Sequence, residues 1–118
     1  MTTYDFDLAL AKHAMWLTRL KLHTMGVGEP DLTPEKAGDA GVCDLGRWIA
    51  AEGAQYHALP GFDLLSAAHR RFHELAAETV RQHQRGDETE TRFLLEQLLP
   101  EASSEITRIL QQLRDNQP

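Results

Sequence analysis

The 118 residues, 42% of them hydrophobic and 25% charged, are enough for one folded domain with its own core. A net charge of −6 without a basic stripe argues against nucleic acid or an anionic membrane surface as the main partner. No apolar run approaches the ~20 residues that span a bilayer. The N-terminal residues lack a signal-peptide pattern and the single cysteine cannot form an internal disulfide, so we expect a cytoplasmic location.

A long amphipathic helix is predicted over residues 4–25. Its apolar stripe follows spacings of 4, 3, 4 and 3, as in a helix that faces a bundle core. The stripe consists of Phe6, Leu10, His13, Leu17 and Leu20. One position of this stripe is therefore a histidine, where a bundle helix would normally place Leu or Ile.

Residues 26–42 form a loop, because this stretch holds four glycines and two prolines in seventeen residues. Thr33 and Pro34 have the chemistry of a helix N-cap and first turn, so a short helical turn can be embedded in the loop. A loop this long usually has a task. Here we expect it to deliver Cys43 to the start of a short second helix that ends near Glu52.

A third helix is predicted from Phe62 to Arg85, and Gly86 ends it. Asp87 is a good N-cap for the last helix. The apolar stripe of that helix keeps its phase through Pro100, which indicates one long helix kinked at the proline. The stripe consists of Leu95, Leu98, Ala102, Ile106, Ile109 and Leu113. The predicted fold is all-α: a four-helix bundle with a short second helix reached by a long loop, in one domain over residues 1–118.

Four side chains on three of these segments form a candidate metal site. His69 and His73 are four residues apart, so on a helix they lie on one face, one turn apart. Cys43 begins the short helix, whose positive end favours a thiolate, and Gly46 leaves room there for the histidines. Together with His13 these groups would close a tetrahedral zinc site.

Each of these residues has a simpler interpretation when it is taken alone. A single histidine on an apolar helix face is usually a hydrogen-bonded core residue, and a lone buried cysteine usually fills apolar space. If the four side chains bind one cation together, their buried polar atoms all gain a partner. We do not expect the remaining histidines to bind metal: His23 lies near the end of the first helix, where a partial positive charge is favourable, and His57 and His83 should be solvated.

At these residues the sequence resembles the bacterial chemoreceptor zinc-binding (CZB) domain. The matching motifs are His13-Ala-Met-Trp16, Cys43-Asp-Leu-Gly46-Arg-Trp48 and His69-Arg-Arg-Phe-His73, with separations of 30 and 26 residues between His13, Cys43 and His69. The resemblance implies a four-helix bundle with a core zinc held by three histidines and one cysteine. It also implies association with chemotaxis or diguanylate cyclase signalling proteins. We expect this chain to be a stand-alone member of the family.

Three functions follow as hypotheses, of which a zinc-responsive regulatory module is the first. The others are an oxidant sensor built on Cys43 and a structural zinc in a dimerisation bundle. Four protein ligands leave no position for a polarised water, so we do not expect an enzyme; a metallohydrolase would need Cys43 not to bind the metal. The expected partners are a zinc ion, a second copy of the chain and a chemoreceptor or diguanylate cyclase.

Overall fold

Every regular element in the described part of the chain is a helix, so the all-α prediction is confirmed. The structure, a computed structural model, describes residues 6–51 and 61–115. The elements are α1 (Phe6–Thr24), α2 (Pro34–Gly38), a 3₁₀ turn (Ala40–Val42), α3 (Asp44–Ala51), α4 (Phe62–Arg85), α5 (Glu88–Phe93), a π-helical turn (Leu94–Leu98) and α6 (Leu99–Asp115). The predicted start of the first helix at residue 4, the predicted end of α3 at Glu52, and His57 lie outside the described residues.

α4 lies at the centre of the bundle and has the predicted bounds. It packs against α1, α2, α3 and α6. Gly61 precedes it with φ 91° and Gly86 follows it with φ 77°, a left-handed conformation that glycine adopts without a steric penalty. The Gly86 N–H donates to the carbonyl oxygens of Gln82 and His83, which closes the last turn. These ends fix the position of both α4 histidines within the bundle.

The loop that precedes Cys43 contains a packed helix, α2. The Thr33 hydroxyl accepts a hydrogen bond from the Lys36 N–H at 3.2 Å, and Pro34 occupies the first helical position, as the sequence predicted. α2 approaches α4 closely at Gly38, where an added Cβ would lie 2.9 Å from the Cβ of Ala77. The loop thus adds a fifth helical segment to the four of the predicted bundle and places it against the centre of α4.

The last predicted helix is continuous from Glu88 to Asp115 but contains a widened turn. Pro100 has no N–H, and its ring would crowd the carbonyl group of Glu96. The π-helical turn, which includes Glu96, lies directly before it and relieves this conflict. The extra residue shifts the register, so Leu94 and Leu99 are buried upstream while the predicted stripe continues from Ala102.

The α6 stripe, together with α4 and Leu20 of α1, forms the apolar core. Its fully or nearly fully buried members are Leu99, Ala102, Ile106, Ile109, Leu110 and Leu113. None of the helices within residues 6–51 and 61–115 is both long enough and apolar enough to cross a membrane.

Candidate metal centre

The structure brings all four predicted ligand residues together. His13 comes from the middle of α1, Cys43 from the position before α3, and His69 and His73 from successive turns of α4. Their exposed fractions are 5%, 9%, 2% and 0%. One donor atom from each residue lies within 4.8 Å of the donor atoms of the other three. Four polar groups from three helices thus share one small interior volume.

The three imidazoles contact one another and are enclosed by aromatic rings. Their ring centroids are 4.6 Å apart for His69 and His73, 5.1 Å for His13 and His69, and 5.6 Å for His13 and His73. Phe72 packs against His13 at 4.6 Å, and Trp16 packs edge-on against His73 at 5.1 Å. These apolar rings separate the cluster from solvent and lower the dielectric around it.

Cys43 caps the start of α3 with its sulfur. The residue has an extended backbone, and the Gly46 N–H donates to Sγ at 3.4 Å. Sγ also lies 2.9 Å from Nε2 of His69. The amide donor and the positive end of α3 both stabilise negative charge on the sulfur, the form in which cysteine binds metals.

Gly46 allows the approach between α3 and the α4 histidines that the sequence predicted. A Cβ at this position would overlap the carbonyl oxygen of Ala40 and would lie 3.2 Å from Cε1 of His69. Any larger side chain would displace either the 3₁₀ turn or the imidazole. The glycine therefore keeps Cys43 and His69 in contact.

Ala37 supplies an outer hydrogen bond that the sequence did not reveal. Nδ1 of His73 lies 2.9 Å from the Ala37 carbonyl oxygen. A carbonyl oxygen can only accept, so Nδ1 carries the proton and the neutral ring presents a bare lone pair at Nε2. The Thr33-Pro34 signal located α2, but no local pattern shows where a backbone carbonyl of α2 will point.

Two nitrogens of the cluster have no protein partner among the described residues. They are Nε2 of His13 and Nε2 of His73, and both are completely buried. A buried polar atom without a hydrogen bond costs about 1–3 kcal/mol, so native proteins rarely leave two of them side by side. A cation that binds both nitrogens would remove this cost.

The cluster holds its histidines in the neutral form. Burial, reinforced by the nearby His73, lowers the pKa of His13 to about 4. Burial, with contributions from His73 and His13, lowers the pKa of His69 to about 3. Burial also lowers the pKa of His73, although the hydrogen bond to Ala37 opposes this shift. Neutral imidazoles are the form that binds metal ions.

The donor set fits zinc. Zinc prefers four nitrogen and sulfur ligands in a tetrahedron, with bonds of about 2.0–2.1 Å to nitrogen and about 2.3 Å to sulfur, which places neighbouring donors about 3.3–3.8 Å apart. Donors that already lie within 4.8 Å of one another need only small side-chain movements to reach that spacing. The neutral rings, the stabilised sulfur and the two unpartnered ring nitrogens are consistent with the same ion.

The structure also reveals a histidine pair that the sequence interpretation missed. His23 and His83, for which no mutual contact was predicted, have ring centroids 5.4 Å apart. They lie on different helices, so sequence spacing carried no signal for their contact.

A comparison with known protein families found one domain model that spans the cluster. The family model described as the chemoreceptor zinc-binding domain matches residues 13–80, more than half of the chain and a range that includes all four clustered residues. A search of curated proteins found no match, and neither did a search of solved structures. The four buried donors and the matched range lead to one conclusion: the chain belongs to the chemoreceptor zinc-binding domain family and is a zinc-binding sensory domain.

Proposed function

We propose that His13, Cys43, His69 and His73 hold one Zn²⁺ in the bundle core and that its occupancy regulates a signalling partner. The observation that supports this most directly is the cluster itself: four buried residues whose donor atoms lie within 4.8 Å of one another, with two ring nitrogens that have no protein partner among the described residues. The family match supports zinc as the metal, and the geometry supports these four side chains as its ligands.

The positions of the ligands explain how occupancy could affect the protein as a whole. One cation held by this set ties α1, α3 and α4 together, and α2 joins them through the Ala37 carbonyl. Without it, α3 keeps mainly the packing of Leu45 and Trp48. The short helix is therefore the element most able to move, and its movement would change the surface offered to a partner.

A regulatory role is favoured over catalysis by the number of donors. Catalytic zinc sites use three protein ligands and keep one position for water or substrate. Here four protein donors surround one point, so a bound ion would have no free position. We therefore propose that the domain is not an enzyme.

The partner and its location rest on the family resemblance. We propose a cytoplasmic chemoreceptor or diguanylate cyclase signalling protein, controlled in response to zinc. We also propose that residues 1–118 form one domain, because the buried face of α6 packs on α4 and completes the core beyond the matched range.

A zinc-stoichiometry measurement tests the site. The purified protein should carry one zinc per chain, and Cys43→Ala and His69→Ala should each lose it, because three remaining donors hold the ion far less tightly. His83→Gln, which changes a histidine in the last turn of α4 outside the cluster, is the matched control and should keep the core zinc. Unchanged zinc content in both ligand variants would refute the site.

Oxidant sensing is the second candidate function, and the contacts of Cys43 favour it. Its sulfur accepts a hydrogen bond from the Gly46 N–H at 3.4 Å, which stabilises a thiolate, and lies 2.9 Å from Nε2 of His69. Attack of that thiolate on hydrogen peroxide breaks the O–O bond, leaving a sulfenic acid on Cys43 and hydroxide as the leaving group. One equivalent of peroxide should add one oxygen to Cys43 and release zinc; an intact cysteine with retained zinc argues against this function.

A purely structural zinc in a dimerisation bundle would give a different result on chelation. In that case removing zinc lowers the thermal stability but leaves partner binding unchanged. For the regulatory module, partner binding should change at temperatures where the metal-free chain remains folded.

A further inference from the structure

Two histidines outside the core cluster face each other at the far ends of α1 and α4. His23 lies in the last turn of α1 and His83 in the last turn of α4. Their ring centroids are 5.4 Å apart and their planes are inclined by 69°. Both side chains are partly exposed.

The distance between the two ring centroids is close to that expected for two imidazoles that bind one ion. The three ring pairs of the core cluster span 4.6–5.6 Å, and 5.4 Å falls within that range. With metal–nitrogen bonds of about 2.0–2.1 Å and a tetrahedral angle, two ligating imidazoles have their centroids about 5 Å apart. The centroid separation of the pair therefore matches that of two imidazoles bound to one ion.

A backbone carbonyl orients the His23 ring in the same way as that of His73. Nδ1 of His23 lies 3.0 Å from the Glu29 carbonyl oxygen. Because a carbonyl only accepts, Nδ1 carries the proton and Nε2 of the neutral ring is left with a lone pair. An outer N–H donated to a carbonyl is the usual second layer of a metal-binding histidine.

The pair is accessible from solvent, unlike the core cluster. His83 lines a groove of about 590 Å³ between the end of α1 and α5, and the carboxylate residues Asp87 and Glu88 line the same groove. Water can therefore complete the coordination of an ion held by two imidazoles. His23 and His83 each lie ten residues after His13 and His73, so the pair is about 15 Å from the core along the same two helices.

We propose that His23 and His83 form a second site, open to solvent, for a divalent transition-metal ion bound by two imidazoles and water. With two protein ligands instead of four and no thiolate, this site binds metal more weakly than the core does. It fills only after the core cluster is occupied.

Titration of the zinc-loaded full chain with Co²⁺ tests this site. One equivalent should bind and give visible d–d absorption without a sulfur-to-cobalt charge-transfer band, because the pair contains no thiolate. His23→Gln and His83→Gln should each weaken this binding by about tenfold or more. Gln84→Ala, which changes the exposed neighbour of His83 on α4, is the control and should bind Co²⁺ as the wild type does. Retained core zinc and helical circular dichroism establish that the two variants are folded.

The outcome of this titration distinguishes metal binding at the His23–His83 pair from metal binding at the core cluster. Failure of the zinc-loaded wild type to bind a further equivalent, or binding that survives both substitutions, would overturn the second site. A sulfur-to-cobalt band would instead report exchange at Cys43, which also counts against a separate imidazole site.

Discussion

Three histidines buried in one cluster make the metal-free protein sensitive to acid. Burial keeps the pKa of His13 near 4 and that of His69 near 3, whereas an unfolded histidine titrates near 6.5. Between these values the unfolded chain binds more protons than the folded chain, so stability falls as the pH falls. The contribution of His13 alone is on the order of 3 kcal/mol, and it is present in full above pH 6.5 and lost towards pH 4.

Urea unfolding of the chelated protein from pH 8 to pH 5 measures this effect. The free energy of unfolding should stay level above about pH 7 and decline below 6.5, and His13→Gln should make the decline shallower. Ordinary carboxylates titrate below pH 5, so a decline between pH 6.5 and pH 5 reports on the histidines. A flat profile there would show that the imidazoles do not titrate in this way.

Gly46 is a second residue at which a substitution should affect both stability and zinc binding. Gly46→Ala should destabilise the protein by about 1–3 kcal/mol and weaken zinc binding, because the new Cβ meets the Ala40 carbonyl and the His69 ring. Gly41→Ala is the matched control, since its Cβ would meet only the Asp39 carboxylate at 3.2 Å. Thermal unfolding and competition with a chelator measure the two effects. Equal behaviour of the two variants would contradict this role for Gly46.

Among the elements, α3 should respond first to zinc removal. It has eight residues, against 24 in α4, and an isolated helix of that length is unstable without tertiary contacts. Hydrogen exchange after chelation should rise first in α3 and the adjoining 3₁₀ turn, while the amides around the buried Ile109 of α6 stay protected. A uniform rise over all helices would instead indicate global unfolding on metal loss.

Local sequence patterns predicted most helices well, but they did not predict the features that depend on packing between helices. Apolar spacing and Gly86 were sufficient for α4, and His69 and His73 needed only a four-residue spacing to share a face. The widened turn before Pro100 was not predictable, because the backbone can relieve a proline conflict in several ways and core packing selects one. The Ala37 bond and the His23–His83 contact depend on how helices lie side by side, which no local pattern contains.

At the scale of the molecule, α1 carries an apolar stripe that its own bundle leaves uncovered. Leu8, Met15 and Leu22 are 50%, 60% and 40% exposed, and they recur every seven residues, so they lie along one side of the helix. We propose that a second copy of the chain packs on this stripe. Each copy has a net charge of −6, so the two repel one another over distance, and added salt should strengthen a dimer held by apolar contacts.

Sedimentation equilibrium tests this dimer. The wild type should sediment at twice the 13.3 kDa of one chain. Met15→Glu should shift it to the monomer, because a carboxylate at the centre of the stripe would be buried in the dimer without a partner. Leu64→Glu replaces a residue of similar exposure (59%) on α4, outside the stripe, and should leave the dimer intact. A monomeric wild type, or a Met15→Glu variant that still pairs, would mean that this face of α1 does not bind a second copy.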